Sequence, residues 1–261
     1  MAHVIAVVNQ KGGVGKTTTA MNLVACLASM GSKCLLIDLD PQANATSGLG
    51  LNPSGVEYGA YEVLVGAVKP HEALRTVPPH TFQIVPATLS LAGANVELVS
   101  VHEREYQLRQ RIAPLKEDFD YIFIDCPPSL GLLTLNGIIA ADSVLIPVQA
   151  EYFALEGIGQ LLDTIRLVKE NLHTEIEILG AVITMYDRRY RLSESVLFEL
   201  YNHFPNKIFR TVIPRNVRLA EAPSHGKTIF QYDPSSRGAK AYERLARELL
   251  SVPEGLTHST E

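Results

Sequence analysis

Residues 4–20 read VIAVVNQKGGVGKTTTA: a short apolar run, a glycine-rich loop, then a segment with helical spacing. A strand that enters a helix through so short a loop must lay that helix on its own sheet, and the chain then returns by a right-handed crossover. The loop nearly matches the phosphate-binding pattern G-x-x-x-x-G-K-[ST], with Lys16 as its lysine and Thr17 as its hydroxyl. Its opening glycine is missing: Gln10 stands there and Lys11 follows. Gly12, Gly13 and Gly15, with Val14 among them, would let backbone N–H groups point at phosphate oxygens, and the helix N-terminus adds a favourable dipole. Lys16 would then neutralise the β- and γ-phosphates, Thr17 would meet Mg²⁺, and Thr18 would reach the α-phosphate.

The same alternation runs along the chain. Val/Ile-rich runs at 4–9, 34–38, 82–87, 121–125, 143–148, 178–184 and 208–213 are continuous rather than alternating, as strands covered on both faces should be. Helical patterns lie at 17–30, closed by Gly31, and at 103–116, 155–171 and 193–204. This order predicts one α/β domain over 1–252, a doubly wound, mostly parallel sheet with helices on both faces, and a polar tail at 253–261. Residues 49–79 suggest only short helices at 60–65 and 71–75, with no functional reading.

Two acidic strand ends suit such a site. YIFID ends in Asp125, which would hold a Mg²⁺-bound water beside Thr17. CLLIDLDPQAN puts Asp38 at the end of the second strand and Asp40 two residues on, at the edge where open α/β sheets bind ligands. Either acid alone fits a cap or a turn equally well; beside a phosphate loop they read as catalytic machinery.

Charge is unevenly spread. Residues 181–247 hold twelve Lys/Arg against six Asp/Glu, a net of +6, and the remainder holds eleven against twenty-two, a net of -11. A basic region on an acidic protein is either a solvated face or a nucleic-acid patch. No stretch approaches the roughly 20 apolar residues of a membrane span, so a cytoplasmic protein is expected. Cys26, Cys34 and Cys126 are odd in number and widely spaced, as reduced core residues would be.

KGGVGKTT, DLDPQ and IDCPPS together resemble the deviant Walker-A ATPases: ParA/Soj partition proteins, MinD and the nitrogenase iron protein. Residues 214–242, PRNVRLAEAPSHGKTIFQYDPSSRGAKAY, resemble the chromosomal ParA subgroup called Soj, and the resemblance spans nearly the whole chain. It implies ATP with Mg²⁺, and a homodimer in which Lys11 crosses to the phosphates of the other subunit. It implies that Asp40 orients the attacking water, that Asp38 lies close to the magnesium, and that Pro214 and Asn216 line the adenine. It further implies a nucleoid-associated protein that binds double-stranded DNA without sequence preference, and a ParB-type centromere-binding partner that stimulates hydrolysis. Within the basic region, Arg188, Arg189, Arg218 and Lys227 are the candidate DNA contacts.

Three other classes fit less well. A membrane-recruited ATPase of the MinD kind would end in a basic amphipathic helix, whereas this C-terminal region puts Ala241, Leu245, Leu249 and Val252 on one inward face and ends in polar residues. A metal-cluster ATPase would need paired interface cysteines. A small-molecule ligase would need added general bases, and no constellation points to them.

Overall fold

In the computed structural model, residues 1–151, 154–172, 176–187, 189, 200 and 207–251 are described, with only the backbone of 154–158. The strands are β1 (His3–Val7), β2 (Cys34–Asp38), β3 (Arg75–Thr76), β4 (Gln83–Val85), β5 (Tyr121–Asp125), β6 (Ser143–Gln149) and β7 (Glu177–Thr184). They form one sheet in the order β3-β4-β2-β5-β1-β6-β7, parallel except for β3 against β4. The α-helices among the described residues are α1 (Lys16–Ser29), α2 (Asn44–Gly48), α3 (Ala60–Val65), α4 (Leu91–Glu97), α5 (Gln107–Ile112), α6 (Leu132–Ala140), α7 (Ala154–Asn171), α8 (Val217–Glu221), α9 (Ile229–Tyr232) and α10 (Arg237–Ser251).

Side chains of β1 alternate between two cores: Val4 and Ala6 pack on one side of the sheet, Ile5 and Val7 on the other. Burial of this kind stabilises by roughly 1.5–3 kcal/mol per large apolar side chain, which explains runs apolar at every position. The first core holds residues of α3 to α7, the second those of α1 and α10. Helix α1 ends in a Schellman arrangement: Gly31 adopts φ +99°, its N–H reaches the Ala28 carbonyl at 3.1 Å, and that of Ser32 reaches Leu27 at 3.1 Å. The Thr19 hydroxyl meets the buried Tyr242 hydroxyl at 3.1 Å, and Asn22 Oδ1 accepts from the Ile229 N–H at 2.9 Å, bolting the C-terminal segments to α1.

Two expected elements come out differently. Residues 208–213 do not form a strand; they touch β7 through an isolated bridge at Ala181–Ile208, and a second bridge joins Tyr186 to Pro214 just beyond both segments. Glu248 takes the N–H groups of Arg210 and Thr211 at 2.6 and 3.0 Å, so these cannot extend the ladder. The helix expected over 103–116 is α-helical only from Gln107 to Ile112, then a 3₁₀ turn over Ala113–Glu117, because Pro114 has no N–H to continue it. Apart from Leu200, the helix expected at 193–204 lies outside the described residues, as do the tail 253–261 and Val252; Ala241, Leu245 and Leu249 are buried as expected. All three cysteines are buried and free. Among the described residues no helix is long and apolar enough to cross a membrane.

Candidate nucleotide-binding and hydrolytic site

The loop from Val8 to Gly15 leaves the central strand β1 between the ends of β5 and β6. Gly13 and Gly15 adopt φ of +75° and +90°, in the left-handed region that side chains resist. Gly15 caps α1 with no side-chain acceptor, which leaves the first amides of the helix available to an anion. Two residues not singled out from sequence brace this loop. Thr184, ending β7, donates its hydroxyl to the Val14 carbonyl at 2.7 Å, and the buried Asn9 donates to the Pro147 carbonyl at 2.7 Å while accepting from the Lys11 N–H at 2.9 Å. A polar residue directly after a buried strand was the available signal for Asn9.

The two lysines of the loop behave differently. Lys16 is buried, its Nζ donating to the Lys11 carbonyl at 3.2 Å, and burial pushes its ammonium below the usual range while Asp125 and Asp40 oppose that shift. Lys11 is more open, its side chain 36% exposed, and its Nζ lies 3.0 Å from Glu151 Oε2. Gln149 Nε2 donates to the other carboxylate oxygen at 2.6 Å.

The acids converge. Parallel register sets Asp38 beside Asp125 at the ends of β2 and β5. Asp38 is fully buried with both oxygens in use: Oδ1 accepts from the Asp40 N–H at 3.2 Å, and Oδ2 from the Thr46 N–H and hydroxyl at 2.8 and 2.7 Å. It therefore fastens the turn after β2 onto α2. Asp40 accepts from the Gln42 N–H at 2.9 Å within that turn, where Ala43 holds φ +52°. Asp125 is buried, and neither of its oxygens has a hydrogen-bond partner of good geometry. Burial, then the charge of Asp38, raises its carboxyl well above the ordinary range, offset in part by Thr17 and Lys16.

An orphaned buried carboxylate between a hydroxyl and a phosphate-type loop fits a hard cation. No three His, Cys, Asp or Glu side chains converge as metal ligands among the described residues. That donor set suits Mg²⁺, which keeps several waters and binds through one or two protein groups plus substrate phosphates.

A family profile described as "AAA domain" matches residues 2–178. The sequence is 52% identical over 249 residues to the sporulation initiation inhibitor protein Soj of Bacillus subtilis (strain 168), covering 95% of this chain and 98% of that one. Against the chromosome-partitioning ATPase Soj of Treponema pallidum (strain Nichols), identity is 50% over 251 residues, with 96% and 98% covered. The chain belongs to the ParA/Soj family of P-loop ATPases. Among solved structures, one from Mycobacterium smegmatis, described as cobyrinic acid a,c-diamide synthase with bound ATP analogue and magnesium, is similar with TM-score 0.87 at 40% identity, covering 96% of this chain and 94% of that one.

In this ParA/Soj-family chain the remaining candidates lie in the segments that follow β7. Pro214 borders a cavity of about 790 Å³ shared with Arg215, Arg237, Lys240 and Arg244. The Asn216 side-chain Oδ1 caps α8 by accepting from the Arg218 N–H at 2.8 Å. Arg189 is 82% exposed and pairs with Asp187, whose carboxyl those hydrogen bonds pull down to about 2. Arg218 pairs with Glu221 at 2.9 Å and Asp233 at 3.6 Å, yet stays 54% exposed. Lys227 is exposed; Arg188 lies outside the described residues. Arg237, Lys240 and Arg244, at i, i+3 and i+7 on α10, are exposed and form no ion pair among the described residues, so the cavity has a cationic wall drawn from the basic region read in the sequence, although none of the three was among the candidate DNA contacts chosen there.

Proposed function

We propose that this ATPase is a chromosome-partition switch, in which MgATP joins two subunits, the dimer holds double-stranded DNA of the nucleoid without sequence preference, and hydrolysis stimulated by a ParB-type partner releases it. The observation that carries the reading is the division of labour between the two loop lysines: Lys16 is buried at the loop, whereas Lys11 is at its rim with its ammonium, among the described residues, on the surface carboxylate of Glu151.

Lys16 and the amides of the loop bind and neutralise the phosphates; Thr17 and Asp125 would hold Mg²⁺, which would supply Lewis-acid charge neutralisation there. Asp40 orients the attacking water, and Asp38, itself clamped by Thr46, positions Asp40 by accepting its N–H. Lys11, supplied across the interface, offsets the charge of the other subunit's nucleotide; trans-acting cations of this sort accelerate phosphoryl transfer by roughly 10³–10⁵. Pro214 and Asn216 border the base. Arg189, Arg218 and Lys227, with the α10 cations, contact backbone phosphates, which gives salt-dependent binding that doubling in a dimer strengthens.

Light scattering with ATP, ADP and nonspecific DNA tests this. Lys16→Ala should lose ATP binding, Lys11→Ala should keep ATP binding but not dimerise, and Asp40→Ala should accumulate as an ATP dimer on DNA. A Lys11→Ala protein that dimerises normally would remove the central element.

A further inference from the structure

A cavity of about 500 Å³ opens at the edge of the sheet opposite the nucleotide loop. It reaches Cys34 and Gln83, the first residues of β2 and β4, whereas Asp38 and Asp125 end their strands at the nucleotide site. That volume lies within the roughly 300–1,000 Å³ of small-molecule pockets. Its walls combine buried aromatic surface, from Phe82 and Phe119, with a few polar groups, among them His71, His80 and Asp118.

His80 is held there with a hydrogen to give. It is 8% exposed, and its ring centre lies 5.1 Å from that of Phe82. The Thr228 N–H donates to Gln231 Oε1 at 3.1 Å, so the amide nitrogen of Gln231 is the atom that meets His80 Nδ1 at 3.0 Å and donates to it. Nδ1 is therefore an acceptor, and the neutral ring, which burial favours, carries its proton on Nε2. Nε2 is shielded from solvent and has no hydrogen-bond partner among the described residues. A buried donor left unpaired is costly, and a ligand's carbonyl oxygen removes that cost. The charges nearby disfavour an acid. Lys33 is the one Lys or Arg among the described lining residues, and it stands beside two carboxylates: Asp118, which lines the cavity, and Asp120, which takes the Lys33 N–H at 2.7 Å. Asp118 meets His71 Nε2 at 2.9 Å through Oδ2, while no described residue donates to its Oδ1.

We infer that this cavity binds an uncharged, flat small molecule with a carbonyl beside an N–H, of the aromatic carboxamide or lactam kind, its carbonyl taking the His80 Nε2–H and its N–H turned to Asp118. Phe82 and Phe119 supply the apolar walls that such a ring packs against. A carboxylate of the same shape would face Asp118, and an amine would leave the His80 donor unpaired. None of these residues belongs to the nucleotide loop or to its acids, so the site stands apart from ATP binding and hydrolysis.

The test uses the full chain with isotope-labelled histidine, read by proton–nitrogen correlation, and three probes that share one ring: indole-3-carboxamide, indole-3-carboxylate and indole. The His80 signals, assigned by their loss in His80→Gln, should show a protonated Nε2 and a bare Nδ1 before any probe is added. Indole-3-carboxamide should shift the Nε2 signal saturably at about millimolar concentration, as expected of so small a ligand. Indole-3-carboxylate and indole should each bind about tenfold more weakly. Asp118→Asn, at an exposed position, should close most of the gap between the amide and carboxylate probes. His80→Phe should weaken the amide about tenfold, read on the His71 signal; should that variant not fold, the three probes on Asp118→Asn still decide. A carboxylate preferred to the amide, indole binding as tightly as its carboxamide, or an unchanged gap in Asp118→Asn would each overturn the inference. So would the absence of any saturable shift at His80, which would leave its N–H to an ordered water.

Discussion

Glu151→Gln should make the ATP-bound dimer tighter. In the structure Glu151 holds Lys11 at 3.0 Å, with the two side chains 46% and 36% exposed. Exposed pairs of this kind stabilise by about 0.2–1 kcal/mol after solvent screening. The second carboxylate oxygen is fixed by Gln149 at 2.6 Å, so Glu151 is already ordered, which favours the upper end of that range. If Lys11 must leave Glu151 to reach the other subunit's nucleotide, each subunit gives up about 1 kcal/mol, a factor of about 5. Two subunits meet in the dimer, so the neutral amide should tighten dimerisation by about 25-fold. Sedimentation equilibrium with a non-hydrolysable ATP analogue measures this directly. Adding Lys11→Ala to Glu151→Gln should erase the gain, because the cycle isolates the coupling between the two residues. An unchanged or weaker dimer for Glu151→Gln would mean that Lys11 does not exchange Glu151 for the partner's nucleotide, and the restraint described here would not exist.

Tyr242→Phe should lower stability by about 1–2 kcal/mol by leaving the buried Thr19 hydroxyl unpaired. That corresponds to a fall in Tm of about 2–4 °C per kcal/mol; an unchanged Tm would show that the contact is not a stabilising hydrogen bond. Gly226→Ala should destabilise by about 1–3 kcal/mol, because φ is +63° and a Cβ would lie 2.8 Å from the Gly50 Cα; Gly55→Ala, where a Cβ meets nothing within 4 Å, serves as the control in the same urea titration. His80 is buried, with its ring held by Gln231 at 3.0 Å, and burial lowers its folded pKa below the ordinary 6.5. Above 6.5 both folded and unfolded chains carry it neutral; as pH falls below that value the unfolded chain takes up the proton first, so stability is lost toward the folded pKa. Urea midpoints at pH 7.5 and 5 for the wild type and His80→Gln should diverge at the lower pH only.

The sequence yielded the elements whose cause is local. CLLID and YIFID span their strands residue for residue because each is covered on both faces, and the glycines at 13 and 15 reveal the loop through their own backbone. It failed where the cause is remote. Residues 208–213 have the composition of a strand, but Glu248, far along the chain, diverts two of the amides a strand would need. Residues 49–79 resisted interpretation because their meaning lies in what they meet: Gly50 packs on Gly226, and Val56 with Glu62 lines a groove shared with Thr88, Leu89 and Ser90. The same divide separates the two lysines of the loop. Lys16 could be given its role from the spacing of GKTT, since a buried ammonium among backbone amides is a local arrangement. Lys11 could be called a trans-acting cation only by resemblance, and its tie to Glu151, 140 positions away, appears only in the fold. A lysine held by a solvated carboxylate at modest cost is poised to exchange that partner for a more concentrated negative charge, and a nucleotide with its γ-phosphate carries more such charge than one without. If Lys11 crosses to the other subunit's nucleotide as proposed, the ion pair would set a threshold that the triphosphate exceeds more readily than the diphosphate, which is the property a nucleotide-controlled assembly requires.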